Sequence, residues 1–221
     1  MPRESRATRT TRAREISRLL AAEYPGSARK LCALQHQGPF QLLVATILSA
    51  QCTDERVNMV TPGLFARFPD AASLAAAPQA ELEEMIRSTG FFRSKSASLI
   101  GAAAALAERH PRKFPRSMEE LTSLPGVGRK TANVVRSVAL GLPGLPVDTH
   151  VTRLSRRLGL TRETDPVKIE SDLCAMLPEG EWGSLSLRLI LHGRRVCLAR
   201  KPRCGECLLA GLCPSAGTAA R

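Results

Sequence analysis

The sequence predicts an all-α protein. Its apolar residues recur at helical spacing, no stretch alternates with the period of a strand, and the breaks between apolar runs carry helix-capping residues. Glu15 to Glu23 reads as the first helix, stopped by Pro25 and Gly26. Phe40 to Ala50 is apolar on almost every side, which suits a buried central helix. Arg56 to Arg67 follows, then two short pieces on either side of Pro78. Ser94 to Arg109 is rich in alanine and leucine and must stop before Pro111. Ser117 and Glu120 form a capping box that starts a short helix before Leu124. Thr131 to Leu140 supplies the next helix, and Gly141, Pro143, Gly144 and Pro146 mark a loop. Thr149 to Leu158 and Pro166 to Leu177 come next, the second with Asp165 as cap and Pro166 at its first position. A last helix runs from Trp182 toward Arg194.

With 221 residues the chain can build one large or two small domains. A formal charge of +12 calls for a polyanionic partner, nucleic acid first and an anionic membrane surface second. No apolar run reaches the roughly 18 residues of a membrane span, and no signal-peptide core opens the chain. The expectation is a soluble intracellular protein, cytoplasmic or nucleoid-associated if bacterial. Residues 1–14 carry Arg3, Arg6, Arg9, Arg12 and Arg14 with little apolar between them, and read as a disordered basic arm. A mitochondrial presequence has the same composition, so a mitochondrial or nuclear location stays open.

The richest segment is Leu124-Pro-Gly-Val-Gly-Arg-Lys-Thr131. A helix, a Gly-Val-Gly turn and a second helix make a helix-hairpin-helix. Gly126, Val127, Gly128 and Arg129 can then bring backbone amides and one cation to a phosphate, which fixes position on DNA without reading sequence. Lys130 begins the second helix. A free lysine titrates near 10.4, so a nucleophile must be lowered by about 2 to 3 pH units. The helix dipole, Arg129 and desolvation under a duplex all push that way. On these features alone, Lys130 is either a phosphate contact or a nucleophile.

Asp148, in Val147-Asp-Thr-His150, precedes another helix and suits an N-cap. A capped carboxylate is also rigidly aimed. The intervening helix and reversing loop could bring it back toward the start of the Lys130 helix. An amine and a carboxylate facing one pocket suit attack on a sugar carbon with charge developing in the ring.

Four of the seven cysteines fall in Cys197-x6-Cys204-x2-Cys207-x5-Cys213. Clustered thiols in a reducing compartment read as metal ligands. Structural zinc sites usually show two close pairs and this run has one, so the spacing leans from zinc toward a [4Fe–4S] cluster. Cys32, Cys52 and Cys174 read as small core residues.

Together these segments resemble the endonuclease III family of DNA glycosylases in the helix-hairpin-helix superfamily, over roughly Glu15 to Cys213. Leu48-Ser-Ala-Gln-Cys-Thr-Asp54 and Leu189-Ile-Leu-His-Gly193 also look like family segments, although Cys52 stands where a small alanine-like residue is expected. The resemblance implies two helical domains with a DNA-binding cleft between them. Residues 15–31 plus 143–221 would form the iron–sulfur cluster domain. Residues 32–142 would form a six-helix barrel holding the hairpin at about 118–140. It implies that Lys130 attacks C1′ of a flipped, oxidised pyrimidine nucleotide or abasic site, that β-elimination then nicks the strand, and that Asp148 stabilises the sugar cation. It implies a structural [4Fe–4S] cluster on Cys197, Cys204, Cys207 and Cys213, and Gln51 filling the hole left by the flipped nucleotide. The partner is damaged double-stranded DNA, met by a monomer. Thr89-Gly-Phe-Phe-Arg-Ser-Lys95 departs from the family, which often has leucine then tyrosine there. Phe91 can serve as an aromatic wedge or pack in the core. Two rivals remain. An adenine mismatch glycosylase shares the fold but lacks the lysine and usually has a further C-terminal domain. A non-catalytic, zinc-stabilised DNA-binding module would use Lys130 as a phosphate contact.

Overall fold

The computed structural model describes residues 4–217, and every regular element among them is helical. They divide into two compact units, one of residues 4–31 with 142–217 and the other of residues 32–141.

The first unit begins with α1 (Arg6–Glu23) and α2 (Ala28–Leu31). The expected disordered arm is corrected here, apart from residues 1–3, which lie outside the described residues. Ser5 accepts from the Thr8 amide as N-cap, and Ala13, Ile16 and Leu20 are buried on the inward face. Arg12 reaches out of the helix, donates to Leu212 O and Gly159 O at 3.2 Å and to Leu158 O, and pairs with Glu4 at 2.7 Å. Basic composition suggested solvation, but this guanidinium is spent on backbone carbonyls of its own unit.

The second unit holds α3 (Pro39–Leu48), α4 (Asp54–Arg67), α5 (Ala71–Ala75), α6 (Gln79–Ile86), α7 (Phe92–Arg109), α8 (Met118–Thr122) and α9 (Arg129–Val134). Proline at the first position of α3 presets its φ, and Leu42 through Leu48 are all buried. Thr53 and Asp70 cap α4 and α5, and Ser117 with Glu120 forms the expected reciprocal box on α8. The helix expected from Thr131 to Leu140 starts two residues earlier and opens into a π turn over Val135–Ala139. Ser137 Oγ donates to Asn133 O at 2.8 Å there, a side-chain bond that competes with the regular ladder.

The chain returns to the first unit with α10 (Thr149–Arg157), α11 (Pro166–Cys174) and α12 (Trp182–Arg195). Asp165 caps α11 through the Val167 and Lys168 amides, both at 3.0 Å. Tyr24, Val151, Leu154, Ile169, Leu173 and Leu189 are among the buried side chains that join these helices to α1. Gly193 sets the approach of α12 to α10, because a Cβ there would lie 2.7 Å from His150 Nδ1 and 3.1 Å from Leu154 Cδ1. No described helix is long and apolar enough to cross a membrane.

Candidate functional site

In the second unit, Leu124 and Val127 are buried, and Val127 N–H donates back to Leu124 O at 3.1 Å. Val127 therefore anchors the turn, being 5% exposed with its amide bonded within the hairpin. The two glycines differ. Gly126 has φ +74, and a Cβ would sit 2.5 Å from Ser98 Cβ on α7. The fold itself requires that glycine. Gly128 has an ordinary extended φ of −88, and a Cβ on it would meet nothing within 4 Å. Neither strain nor packing in the protein explains it. Open space in front of a hairpin turn is where a phosphate can approach backbone. Arg129 and Lys130 follow at once, both exposed, as the first two residues of α9.

Two other loops of this unit carry non-glycine residues in left-handed backbone, Gln51 with φ 52 and Phe91 with φ 50. Such a conformation is rare for a bulky side chain and costs about 1 to 3 kcal/mol. Gln51 is exposed just beyond the end of α3. Phe91 is 64% exposed at the start of α7, so core packing is excluded for it. The neighbouring Phe92 is the half-buried ring, with the Arg87 and Arg93 guanidiniums 5.4 and 5.8 Å from its centroid. Lys95, to which the sequence assigned no role, is 5% exposed and donates from Nζ to Leu48 O and Thr89 O, both at 2.8 Å. Burial lowers its pKa.

Asp148 belongs to the first unit. It caps α10 as expected, its Oδ1 accepting from the Val151 amide at 2.8 Å. His150, the second residue of α10, is half-buried, with Arg153 Nη2 3.0 Å from Nδ1. Burial lowers the His150 pKa, Asp148 opposes that, and Arg153 and Arg194 reinforce it.

Cys197, Cys204, Cys207 and Cys213 line one cavity of about 30 Å³ in the first unit, walled by Leu154, Leu158 and Leu209. Burial pushes the Cys207 and Cys213 thiols up, and the other cysteines push the same way. Four thiolates so placed need positive charge among them. Four thiols around one cavity are the donor set of a cysteine-ligated iron–sulfur cluster. His192, a buried residue the sequence had not singled out, has Nε2 3.3 Å from Cys207 Sγ and Nδ1 3.1 Å from Tyr24 Oη. Arg157 Nη1 lies 3.5 Å from Cys197 Sγ and donates to Leu198 O at 2.7 Å. Cys32, Cys52 and Cys174 are half-buried rather than fully internal, a correction to the core reading. Burial nonetheless raises the Cys32 pKa, and Cys174 packs against the core of the first unit.

Residues 44–179 match the HhH-GPD superfamily of base excision DNA repair proteins, and residues 197–213 match the iron–sulfur binding domain of endonuclease III. Endonuclease III of Synechocystis sp. is 57% identical over 211 residues, covering 95% of each chain. The chain belongs to the endonuclease III family. Endonuclease III of Bacillus subtilis is 46% identical, over 82% of this chain and 84% of its own. A solved structure of a non-covalent endonuclease III–DNA complex superposes with a TM-score of 0.87 at 40% identity, covering 95% of this chain and 97% of that one. A trapped covalent endonuclease III–DNA intermediate gives 0.88 at 41% identity, with the same coverage. As an endonuclease III family member, the protein is a base excision repair DNA glycosylase with AP lyase activity, and its cofactor is a [4Fe–4S] cluster.

Proposed function

We propose that the enzyme removes oxidised, ring-saturated or fragmented pyrimidines and cleaves abasic sites, with Lys130 as nucleophile. The neutral Lys130 amine attacks C1′ of a nucleotide flipped out of the duplex, and the C1′–N bond to the base breaks as the Nζ–C1′ bond forms. The base leaves with the bonding electrons and takes up a proton. Ring opening gives a protonated imine, loss of a C2′ proton expels the 3′ phosphate, and hydrolysis frees the lysine. Asp148, held by the Val151 amide, stabilises the developing sugar cation and takes part in the proton transfers. Gln51 fills the space left by the flipped nucleotide, Phe91 wedges into the stack, and Gly126, Gly128 and Arg129 hold the backbone. Cys197, Cys204, Cys207 and Cys213 carry the [4Fe–4S] cluster, which braces a basic loop rather than reacting. The enzyme works as a monomer on damaged duplex DNA, in the cytoplasm or nucleoid.

The observation that carries this reading is Lys130, exposed directly after a hairpin whose Gly128 has open space before it. Borohydride reduction should trap wild-type protein on abasic duplex as a covalent adduct and leave Lys130→Ala untrapped. Equal trapping by Lys130→Ala would remove it as the nucleophile.

A further inference from the structure

Lys95 takes no part in the reaction as proposed, yet it is the one lysine among the buried polar and charged residues described. A core position on α7 that needed only volume would take leucine or methionine, without the cost of desolvating an ammonium. What the ammonium adds is two charge-assisted hydrogen bonds from a single nitrogen. Its acceptors are informative. Leu48 O belongs to the last residue of α3, three positions before Gln51, and Thr89 O lies two positions before Phe91. One atom therefore holds both loop bases within twice 2.8 Å of each other.

Each loop then places an exposed side chain in left-handed backbone, Gln51 at φ 52 and Phe91 at φ 50. Such backbone persists only where surrounding contacts over-determine it. Thr89 is itself buried, its Oγ1 donating to Ile86 O at 2.8 Å, so the Phe91 loop is anchored just before the strained residue. In the other loop, Cys52 N–H returns to Ser49 O at 3.2 Å, closing a tight turn around Gln51. The Lys95 nitrogen is buried against both carbonyls, away from solvent.

We propose that Lys95 is a positioning residue that braces the Gln51 and Phe91 loops as one tool, fixing the spacing between the group that fills the vacated space and the group that opens the stack. This rests on the roles given to Gln51 and Phe91 above. Unbraced, each loop can still touch DNA, but the two no longer enter one lesion in register. Lys95 then acts on nucleotide extraction and leaves the hairpin's grip on undamaged duplex alone.

The test is a set of mutant cycles read by single-turnover removal of a ring-saturated pyrimidine from duplex DNA. Lys95→Met should remain folded by circular dichroism and bind undamaged duplex as wild type does, while base removal slows by about 10- to 100-fold, the range expected for a misplacement near 1 Å. Gln51→Ala and Phe91→Ala should each slow the wild type, and each should add far less in the Lys95→Met background. Should Lys95→Met fail to fold, Lys95→Gln, which retains a donor for one carbonyl, goes through the same cycles with the same expectation. A wild-type rate in the Lys95 variant, or penalties that multiply independently, would overturn the brace. So would a parallel loss of duplex affinity, the mark of general destabilisation. A wild-type protein that neither removes the base nor traps DNA would instead sink the underlying functional reading. Alanine variants of Gln51 and Phe91 with unchanged rates would sink the roles of those two residues, and the brace with them.

Discussion

The hairpin at Leu124–Thr131 and the cysteine segment at Cys197–Cys213 both serve a DNA repair enzyme, but their shapes have different origins. The hairpin is built by the polypeptide alone. A capping box starts α8, Val127 plugs the turn from beneath, and Gly126 lets it lie against Ser98. The cysteine segment has only two short 3₁₀ turns, Cys204–Glu206 and Ala210–Leu212. Its backbone is tied by short-range turns, such as Cys207 N–H to Cys204 O at 3.3 Å and Ala210 N–H to Cys207 O at 2.9 Å, and by arginines from elsewhere, Arg12 on Leu212 O and Arg157 on Leu198 O and Ala199 O. One element closes on its own caps, turn bond and packing. The other gathers four thiols around one cavity, where a metal group would balance their charge.

The largest separation between them should come from the cofactor. Cys204→Ser should lose the visible absorbance of a thiolate-ligated iron–sulfur cluster and become cleavable by protease within 197–213, while the hairpin remains protected. Equal protease sensitivity in the two segments would contradict the contrast. Next come the two hairpin glycines. Gly126→Ala meets both a positive φ and a contact far below van der Waals distance, and should destabilise by about 2 to 4 kcal/mol in thermal or urea unfolding. Gly128→Ala has nothing to strike in the protein, so stability should hold while duplex affinity falls. Should Gly128→Ala unfold the protein instead, the glycine serves the fold and the open-space argument fails.

The smallest effect concerns the cap of α8. Amide donors from Ser117 and Arg116 hold the Glu120 carboxyl below its ordinary value. Because the folded pKa is the lower one, its stabilising contribution is present above the unfolded value near 4.3 and disappears as pH falls through the folded value. Melting temperatures of wild type and Glu120→Gln should therefore differ at neutral pH and converge in acid. A difference independent of pH would assign the effect to something other than this carboxylate.

How legible all this was depended on how local the physics is. The caps at Ser117, Asp148 and Asp165 are decided within a few residues of sequence, and the structure has them as read. The four-cysteine spacing is equally local. Arg12 was misread because its partners, Leu158, Gly159 and Leu212, are remote carbonyls that leave no trace in composition. Lys95 was passed over for the same reason, since one of its two acceptors lies 47 positions away. Gly126 and Gly128 looked alike in sequence, and only Ser98 on a packed helix tells them apart. The exposed side of Phe91 was similarly undecidable while Phe92 stood beside it. The π turn after α9 has no sequence rule that would have marked it.

On the proposed function, the hairpin presents one particular amine, that of Lys130, to the damaged sugar. Borohydride-reduced complexes on abasic duplex can be digested and the DNA-bearing peptide sequenced by mass spectrometry. The adduct is expected on Lys130, in a peptide containing Thr131-Ala132-Asn133. An adduct centred on any other lysine, or on the N-terminal amine, would contradict the account.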